Sequence, residues 1–574
     1  MKQLLPFLKP YRKQLILGPL AKFSEAVLEL LLPLLMARLI DVGIQTGDGA
    51  YIWRMGGLMA LTASVGFLCS LFCQYSASVA SQGTGTAIRE ELYRKINMLS
   101  QRDMARFGIV TLVNRQTADV TQIQVAVAML IRLVFRAPFL CIGGVVMAMA
   151  LDFQLSLVLL IFIPLFAAAL YMLVRKTVPL YGKVQAKLDG LSTVLRENLT
   201  GVRVVRAFGQ TKTETVRFAA ANHEQAEAAL QAGRFSALLS PVTLLLMNAA
   251  TICVVWFGGL RINTGHLTQG QMIAFISYIT QILLALIVVS NLAVLFTRAA
   301  ASSARVAAVL NMEPSLTDGA ETEMTVNAPV IEFRDVSFSY ANGAAQALTG
   351  VSFRAEAGQT IGIVGGTGAG KSTLLRLIPR FDDVASGEIR IGGRNVKDWR
   401  MADLRQKIGL VPQTALLFAG TVESNLRVGK PDATDLELRE AIETAQAAAF
   451  LEGAKGGLQA PVVQGGRNFS GGQRQRLTIA RALVRKPDIL ILDDSASALD
   501  YVTDAKLRAA LRQFGAKATI IVSQRISAVM DADLILVLEN GAMAGLGAHE
   551  ELFRANPVYR EICLSQGIDG EADA

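Results

Sequence analysis

Gly365-Gly-Thr-Gly-Ala-Gly370-Lys371-Ser372-Thr373 follows the apolar run Gln359-Thr-Ile-Gly-Ile-Val and precedes an apolar helical pattern. This stretch decides the fold of the C-terminal half. Its spacing is G-x-x-x-x-G-K-[ST] in strand, loop and helix context. Glycines let backbone N–H groups close around phosphate oxygens, and the start of the next helix favours their negative charge. Lys371 is expected to reach the β and γ phosphates and Ser372 to ligate Mg²⁺. Gly365, Gly366, Thr367, Gly368, Ala369, Gly370 and Thr373 complete the expected nucleotide pocket of an α/β domain.

Farther along, Ile489-Leu-Ile-Leu-Asp493 is an apolar run ending in a carboxylate, the pattern of a buried parallel strand that delivers Asp493 to Mg²⁺. Upstream, Val330-Ile-Glu-Phe-Arg-Asp-Val-Ser-Phe-Ser-Tyr340 opens the domain as a β-rich run, so a soluble domain is expected over 331–574, ending in a short acidic tail. Residues 311–330 break the helical pattern with Pro, Gly and acidic residues and read as a linker. Residues 1–310 are different in kind. The whole chain has 574 residues, 52 % of them hydrophobic and only 18 % charged, and its net charge is +9. Residues 1–310 hold 28 Lys and Arg against 14 Asp and Glu, while the remainder holds 28 against 33. The basic excess therefore belongs to the apolar half, which argues for membrane loops and against a nucleic-acid partner.

Six apolar stretches, near 14–40, 52–80, 128–151, 154–175, 236–261 and 271–297, are long enough to cross ~30 Å of hydrocarbon. The connections 81–127 and 176–235 are long and basic, with Arg89, Arg94, Lys95, Arg102, Arg106 and Arg115 in the first. The positive-inside rule puts them and both termini in the cytoplasm. They are expected to continue as helices beyond the bilayer. Lys22, Glu25 and Glu29 share one face of the first span; they read either as the polar lining of a substrate path or as an ion pair between helices.

Phe469-Ser470-Gly471-Gly472-Gln473-Arg-Gln-Arg476 makes a second phosphate cradle from a hydroxyl, two glycine N–H groups and a helix start. Together with the motifs above, it resembles the signature of ATP-binding-cassette (ABC) proteins. The order of six spans, two long loops and a cassette resembles exporters of the half-transporter type over nearly the whole chain. The resemblance implies a P-loop NTPase fold, ATP and Mg²⁺ as cofactors, and a second half-transporter whose ATP meets Ser470, Gly471, Gly472 and Gln473. It implies that Tyr340 stacks on adenine, that Gln413 joins the Mg²⁺ ligands Ser372 and Asp493, and that Ser497 to Asp500 cross the dimer interface. Phe107–Asp119 and Glu197–Phe208 resemble the exporters' intracellular loops, which carry the coupling helices.

Two positions depart from the family pattern. Asp494 stands where a Glu polarises the attacking water, and Gln524 stands where a His is usual. The chain has three His, at 223, 266 and 549, none of them there. Gln464 also replaces a commonly acidic residue near the signature. Both departures at the Walker motifs fall on one composite ATP site, while the signature is intact. The pattern resembles the degenerate-site subunit of bacterial heterodimeric multidrug exporters, with the lipid bilayer and amphipathic drugs, lipids or peptides as its other partners. The alternatives are a homodimeric exporter or flippase with slow hydrolysis, and an ATP-gated channel or regulatory membrane ATPase. Short outer loops favour a bacterial inner membrane. Five Cys, mostly in apolar runs, suggest neither a disulfide framework nor a metal site.

Overall fold

Apolar runs of this length bury their backbone polarity best as helices, and the first unit of the computed structural model is helical throughout. The structure describes residues 4–340, 346–453, 456–495 and 498–568. Two units emerge: 1–97 with 109–312, and 98–108 with 313–574.

In the first unit, five helices among the described residues are long and apolar enough to cross a membrane: Gly49–Met98, Ile109–Leu151, Phe153–Thr200, Thr211–Asn263 and Gln269–Leu310. They contain five of the six expected spans. The first expected span folds as helix Arg12–Arg38, 27 residues long, but Lys22, Glu25 and Glu29 fall within two turns of it, and it does not stand with the other five on composition. The expectation that the long loops continue as helix holds. Phe153–Thr200 has 48 residues, a length of ~70 Å at the α-helical rise, more than twice a hydrocarbon core.

The short connections are tied by caps. Asp152 accepts from the Leu155 N–H at 2.8 Å and pairs with Arg261. Thr268 and Gln271 form a capping box, and Asp41 accepts from the Gly270 N–H at 2.8 Å. Each turn thereby satisfies orphan donors of the helix it starts. Phe275 and Tyr278 are fully buried, and the Tyr278 hydroxyl donates to the Leu30 carbonyl at 2.8 Å. Phe139 packs on Phe23, while Phe135 is exposed.

The second unit is built on a ten-stranded sheet. In spatial order it runs Arg394–Asn395, Ser386–Ile391, Ile331–Phe338, Leu348–Ala355, Ala542–Gly547, Leu534–Glu539, Gln359–Gly365, Ala518–Val522, Ile489–Asp493 and Ile408–Val411. The last five strands are mutually parallel. Their residues Ile361, Ile363, Ile489, Ile491 and Ile520 are fully buried, as expected for strands covered on both faces. The run expected to open the domain is strand Ile331–Phe338, antiparallel to its neighbours.

Of residues 311–330, expected as a linker, 313–330 lie along this unit. The Gly319 N–H donates to Trp399, Glu321 to Asp398 and Thr325 to Gly392. The unit also takes in residues 98–108. There Ser100 and Asp103 form a capping box on helix Gln101–Phe107, and Asp103 accepts from both the N–H and the hydroxyl of Ser315, at 3.0 and 2.9 Å. The tail 569–574 lies outside the described residues.

Candidate nucleotide site

Four adjacent parallel strands end on the same side, and each delivers part of the site from its C-terminal end, where open α/β sheets bind ligands. Gln359–Gly365 leads into the glycine loop, Ile489–Asp493 ends at Asp493, Ala518–Val522 leads to Gln524, and Ile408–Val411 leads to Gln413. Register fixes their levels: Val522 lies opposite Ile363 on one side and Asp493 on the other. The result is a cavity of about 380 Å³ lined by Tyr340, Thr367 to Thr373, Gln413, Asp493, Asp494 and Gln524. The Walker-motif residues, Gln413 and Gln524 expected from the sequence are therefore in one place, except that Gly365 and Gly366 form the base of the loop.

Two glycines are required by local geometry. Gly368 and Gly370 have φ of +83° and +96°, and a Cβ on Gly370 would stand 2.7 Å from the Ala347 carbonyl. Lys371 donates to the carbonyls of Gly365 and Gly366 at 2.7 and 2.8 Å, so its ammonium stays at the loop. Burial pushes that ammonium below the usual lysine range, against the pull of Asp494 and Asp493. Burial likewise raises the Asp493 carboxyl; Ser372 and Lys371 oppose this and Asp494 adds to it. A phosphate chain and a divalent cation are the charges such a pocket is built to receive.

The donors fit Mg²⁺. The Ser372 hydroxyl and the Asp493 carboxylate face one another at 3.5 Å. Oxygens in neighbouring positions of a Mg²⁺ octahedron at ~2.1 Å from the ion lie ~3 Å apart, so a small adjustment lets both bind. Gln413 Nε2 stands 3.5 Å from an Asp494 oxygen. Asp494 itself has φ of +46°, in the left-handed region that Asp tolerates better than most residues, and its N–H donates to Val522 at 2.9 Å.

Ser470, Gly471, Gly472 and Gln473 do not line this cavity. Ser470 caps helix Gly471–Leu483; its hydroxyl accepts from the Gln473 N–H at 3.3 Å, and the Gln473 side chain accepts from the Ser470 N–H at 2.9 Å. A Cβ on Gly472 would lie 2.9 Å from the Ala498 carbonyl, so glycine permits the approach of the 498–500 segment. Asp500 caps helix Tyr501–Phe514 by accepting from Thr503 at 2.9 Å. Ser497 lies outside the described residues. His549 is structural: its Nδ1 is 2.7 Å from the Tyr559 hydroxyl.

In the membrane unit, Lys22 donates to both Glu25 oxygens at 2.7 and 2.6 Å and to Ser70 at 3.3 Å, and Glu29 accepts from Arg136 at 2.7 Å. All three residues singled out there are thus ion-paired. Arg136 and its neighbour Arg132 were not singled out, because a positive charge inside an apolar run leaves no motif.

The sequence reading also missed Arg376. It lies 5.6 Å over the ring of Tyr340, whose hydroxyl is 2.7 Å from the Thr373 hydroxyl, and its guanidinium reaches Gln101 and, at 3.4 Å, Asp382. The available signals were its position three residues after Thr373, on one helical face, and Ser100-x-x-Asp103 as a helix start.

Comparison with known proteins agrees with this geometry. Residues 15–286 match the model of the ABC transporter transmembrane region, and residues 348–497 match that of the ABC transporter. An uncharacterised ABC transporter ATP-binding protein of Mycobacterium tuberculosis is 40 % identical, over 98 % of this chain and 97 % of its own. A putative multidrug export ATP-binding/permease protein of Bacillus subtilis is 30 % identical, over 99 % of this chain and 100 % of its own. The solved structure of a bacterial Atm1-family ABC exporter with ATP bound superposes with a TM-score of 0.82 at 25 % identity, covering 97 % of this chain and 100 % of that one. With a helical membrane domain joined to a cassette whose Walker residues converge on one cavity, the chain belongs to the ABC exporters of the half-transporter type.

Proposed function

We propose that this chain is the degenerate-site half of an asymmetric exporter dimer. It binds ATP with Mg²⁺ at a site of slow hydrolysis, presents Ser470 to Gln473 to the ATP of a different partner half, and moves amphipathic or hydrophobic compounds across a bacterial inner membrane. The carrying observation is the contrast between Asp494 with Gln524 in the Walker cavity and the intact capping box at Ser470.

Tyr340 orients the base, the glycine loop and Lys371 hold the phosphates, and Ser372 and Asp493 would hold Mg²⁺ with Gln413 beside them. ATP supplies the phosphoryl group whose transfer to water drives the cycle. The Asp494 carboxylate has one methylene fewer than Glu, and a shortfall of more than ~1 Å removes much of the ~10²- to 10⁴-fold that a positioned base contributes. Gln524 can donate a hydrogen bond to a γ-phosphate but cannot carry a proton as His does. Closure requires that ATP bind the closed pair of cassettes more tightly than the open one, and hydrolysis with product release reopens it. In this reading helix Arg12–Arg38 is the sixth span, its charges paired within the helix bundle, and the basic long loops and both termini are cytoplasmic. The likeness to a putative multidrug exporter supports amphipathic cargo.

The test is ATP hydrolysis by the chain reconstituted with its partner half. Activity that persists within about tenfold after Lys371→Ala, but is lost after the equivalent change in the partner, supports the asymmetric dimer; complete loss after Lys371→Ala contradicts it.

A further inference from the structure

Apart from Arg38 at the end of the first, the apolar stretches of helices Arg12–Arg38 and Ile109–Leu151 carry five charged side chains: Lys22, Glu25, Glu29, Arg132 and Arg136. Four are consumed in the pairs Lys22–Glu25 and Arg136–Glu29. Arg132 has no carboxylate partner among the described residues. Among the described residues its guanidinium donates only to the Ser78 hydroxyl, at 3.3 Å, and its buried Nε has no hydrogen-bond partner. An arginine at membrane depth normally faces a protein interior or a watery path and is paired there. Here the set carries one positive charge in excess.

The backbone holds this arginine in a defined place. It sits in the π-helical turn Leu130–Val134, one of three among the described residues, with Leu39–Ile44 and Arg115–Asp119. Ile131 beside it is 1 % exposed and packed so tightly that a Cβ on Gly18 would meet it at 2.7 Å. Three residues on, Phe135 is 56 % exposed and offers an apolar surface next to the charge.

We infer that Arg132 receives the anionic group of an amphiphile whose apolar body lies against Phe135, so that the exported compounds include amphipathic anions. This deepens the export reading and rests on it. The anion is a sulfonate, carboxylate or phosphate, carried either by a bilayer lipid or by a free compound.

The full-length chain in phosphatidylcholine nanodiscs is titrated with anilinonaphthalene sulfonate and with uncharged phenylnaphthylamine. In parallel, fluorescent phosphatidylglycerol is compared with fluorescent phosphatidylcholine. The chain is expected to prefer an anionic probe over its neutral counterpart by about tenfold or more. Arg132→Gln should remove that preference while neutral binding and ATP binding stay unchanged, and Arg132→Lys should keep most of it. A preference confined to the lipid pair identifies the anion as a headgroup, and one extending to the sulfonate identifies a free compound. Equal binding of charged and neutral probes by the unaltered chain, or an equal loss of both in Arg132→Gln, overturns the inference. Because binding is read without transport, anion preference with no ATP-driven movement would instead count against the export reading alone.

Discussion

Arg376 covers one face of Tyr340 at 5.6 Å while its guanidinium reaches Gln101 on the helix Gln101–Phe107. One side chain thus touches both the aromatic ring expected under adenine and a segment some 270 residues earlier in the chain, and both contacts lie within the cassette unit. A cation over an aromatic face stabilises by ~0.5–2 kcal/mol. Arg376→Ala should therefore weaken ATP binding by about threefold to tenfold, as read by calorimetry. It should also speed amide exchange in residues 98–108.

In the proposed function Tyr340 itself supplies stacking on the base. Loss of one aromatic face against a base costs ~1–3 kcal/mol, so Tyr340→Ala should weaken ATP affinity by about fivefold to a hundredfold. Tyr340→Phe removes only the hydroxyl contact to Thr373 and should stay within about tenfold. Equal losses in both variants would mean that the hydroxyl, and not the ring, holds the nucleotide.

Asp103 ties residues 98–108 to Ser315. Burial raises its carboxyl, but hydrogen bonds from Ser315 and Ser100 outweigh that and leave it below the usual carboxylate range. The unfolded chain therefore binds the proton more readily than the folded one. The stabilisation is present above the ordinary Asp value of 3.8 and is lost as pH falls through the lower folded value. Asp103→Ala should lower exchange protection of this segment by ~1–3 kcal/mol, equally at about pH 7 and about pH 5. A penalty that shrinks already between those two values would show that the carboxyl is not held low.

Ser470 caps a helix and, in the proposed function, meets the partner's ATP; the two roles can be separated. Its loss as a helix cap costs ~1 kcal/mol in Ser470→Ala, visible as a modest fall in thermal stability. ATP binding to this chain's own Walker cavity, which Ser470 does not line, should be unchanged. Hydrolysis by the reconstituted pair should fall at least about tenfold, because the partner's ATP loses a donor.

Local motifs were legible and long-range pairings were not. The glycine loop is a contiguous pattern whose chemistry needs no partner, so Lys371 and Ser372 could be assigned at once. Asp493, Asp494 and Gln524 were found by motif order, but the sheet order that makes their strands neighbours, with Ala518–Val522 between Gln359–Gly365 and Ile489–Asp493, is written nowhere locally. Arg376 belongs to no contiguous motif, and its place over Tyr340 comes only with the fold. The linker reading of 311–330 rested on Pro, Gly and acidic residues, which equally suit a segment held to a surface by backbone hydrogen bonds. Apolar length found the long helices because burial in lipid needs only length and composition. The same averaging hid Arg132 and Arg136 and left the first helix divided between span and ion-pair scaffold.

The most direct test of the asymmetric-site account is steady-state ATP hydrolysis by the purified chain alone, unaltered and as Asp494→Glu, with Lys371→Ala as background and thermal stability as a control. The account predicts turnover near background for the unaltered chain and a rise of at least about tenfold in Asp494→Glu, larger still with Gln524→His added. Robust, Lys371-dependent turnover of the unaltered chain, not raised by Asp494→Glu, would contradict it and leave a homodimeric exporter that uses Asp494 as its base.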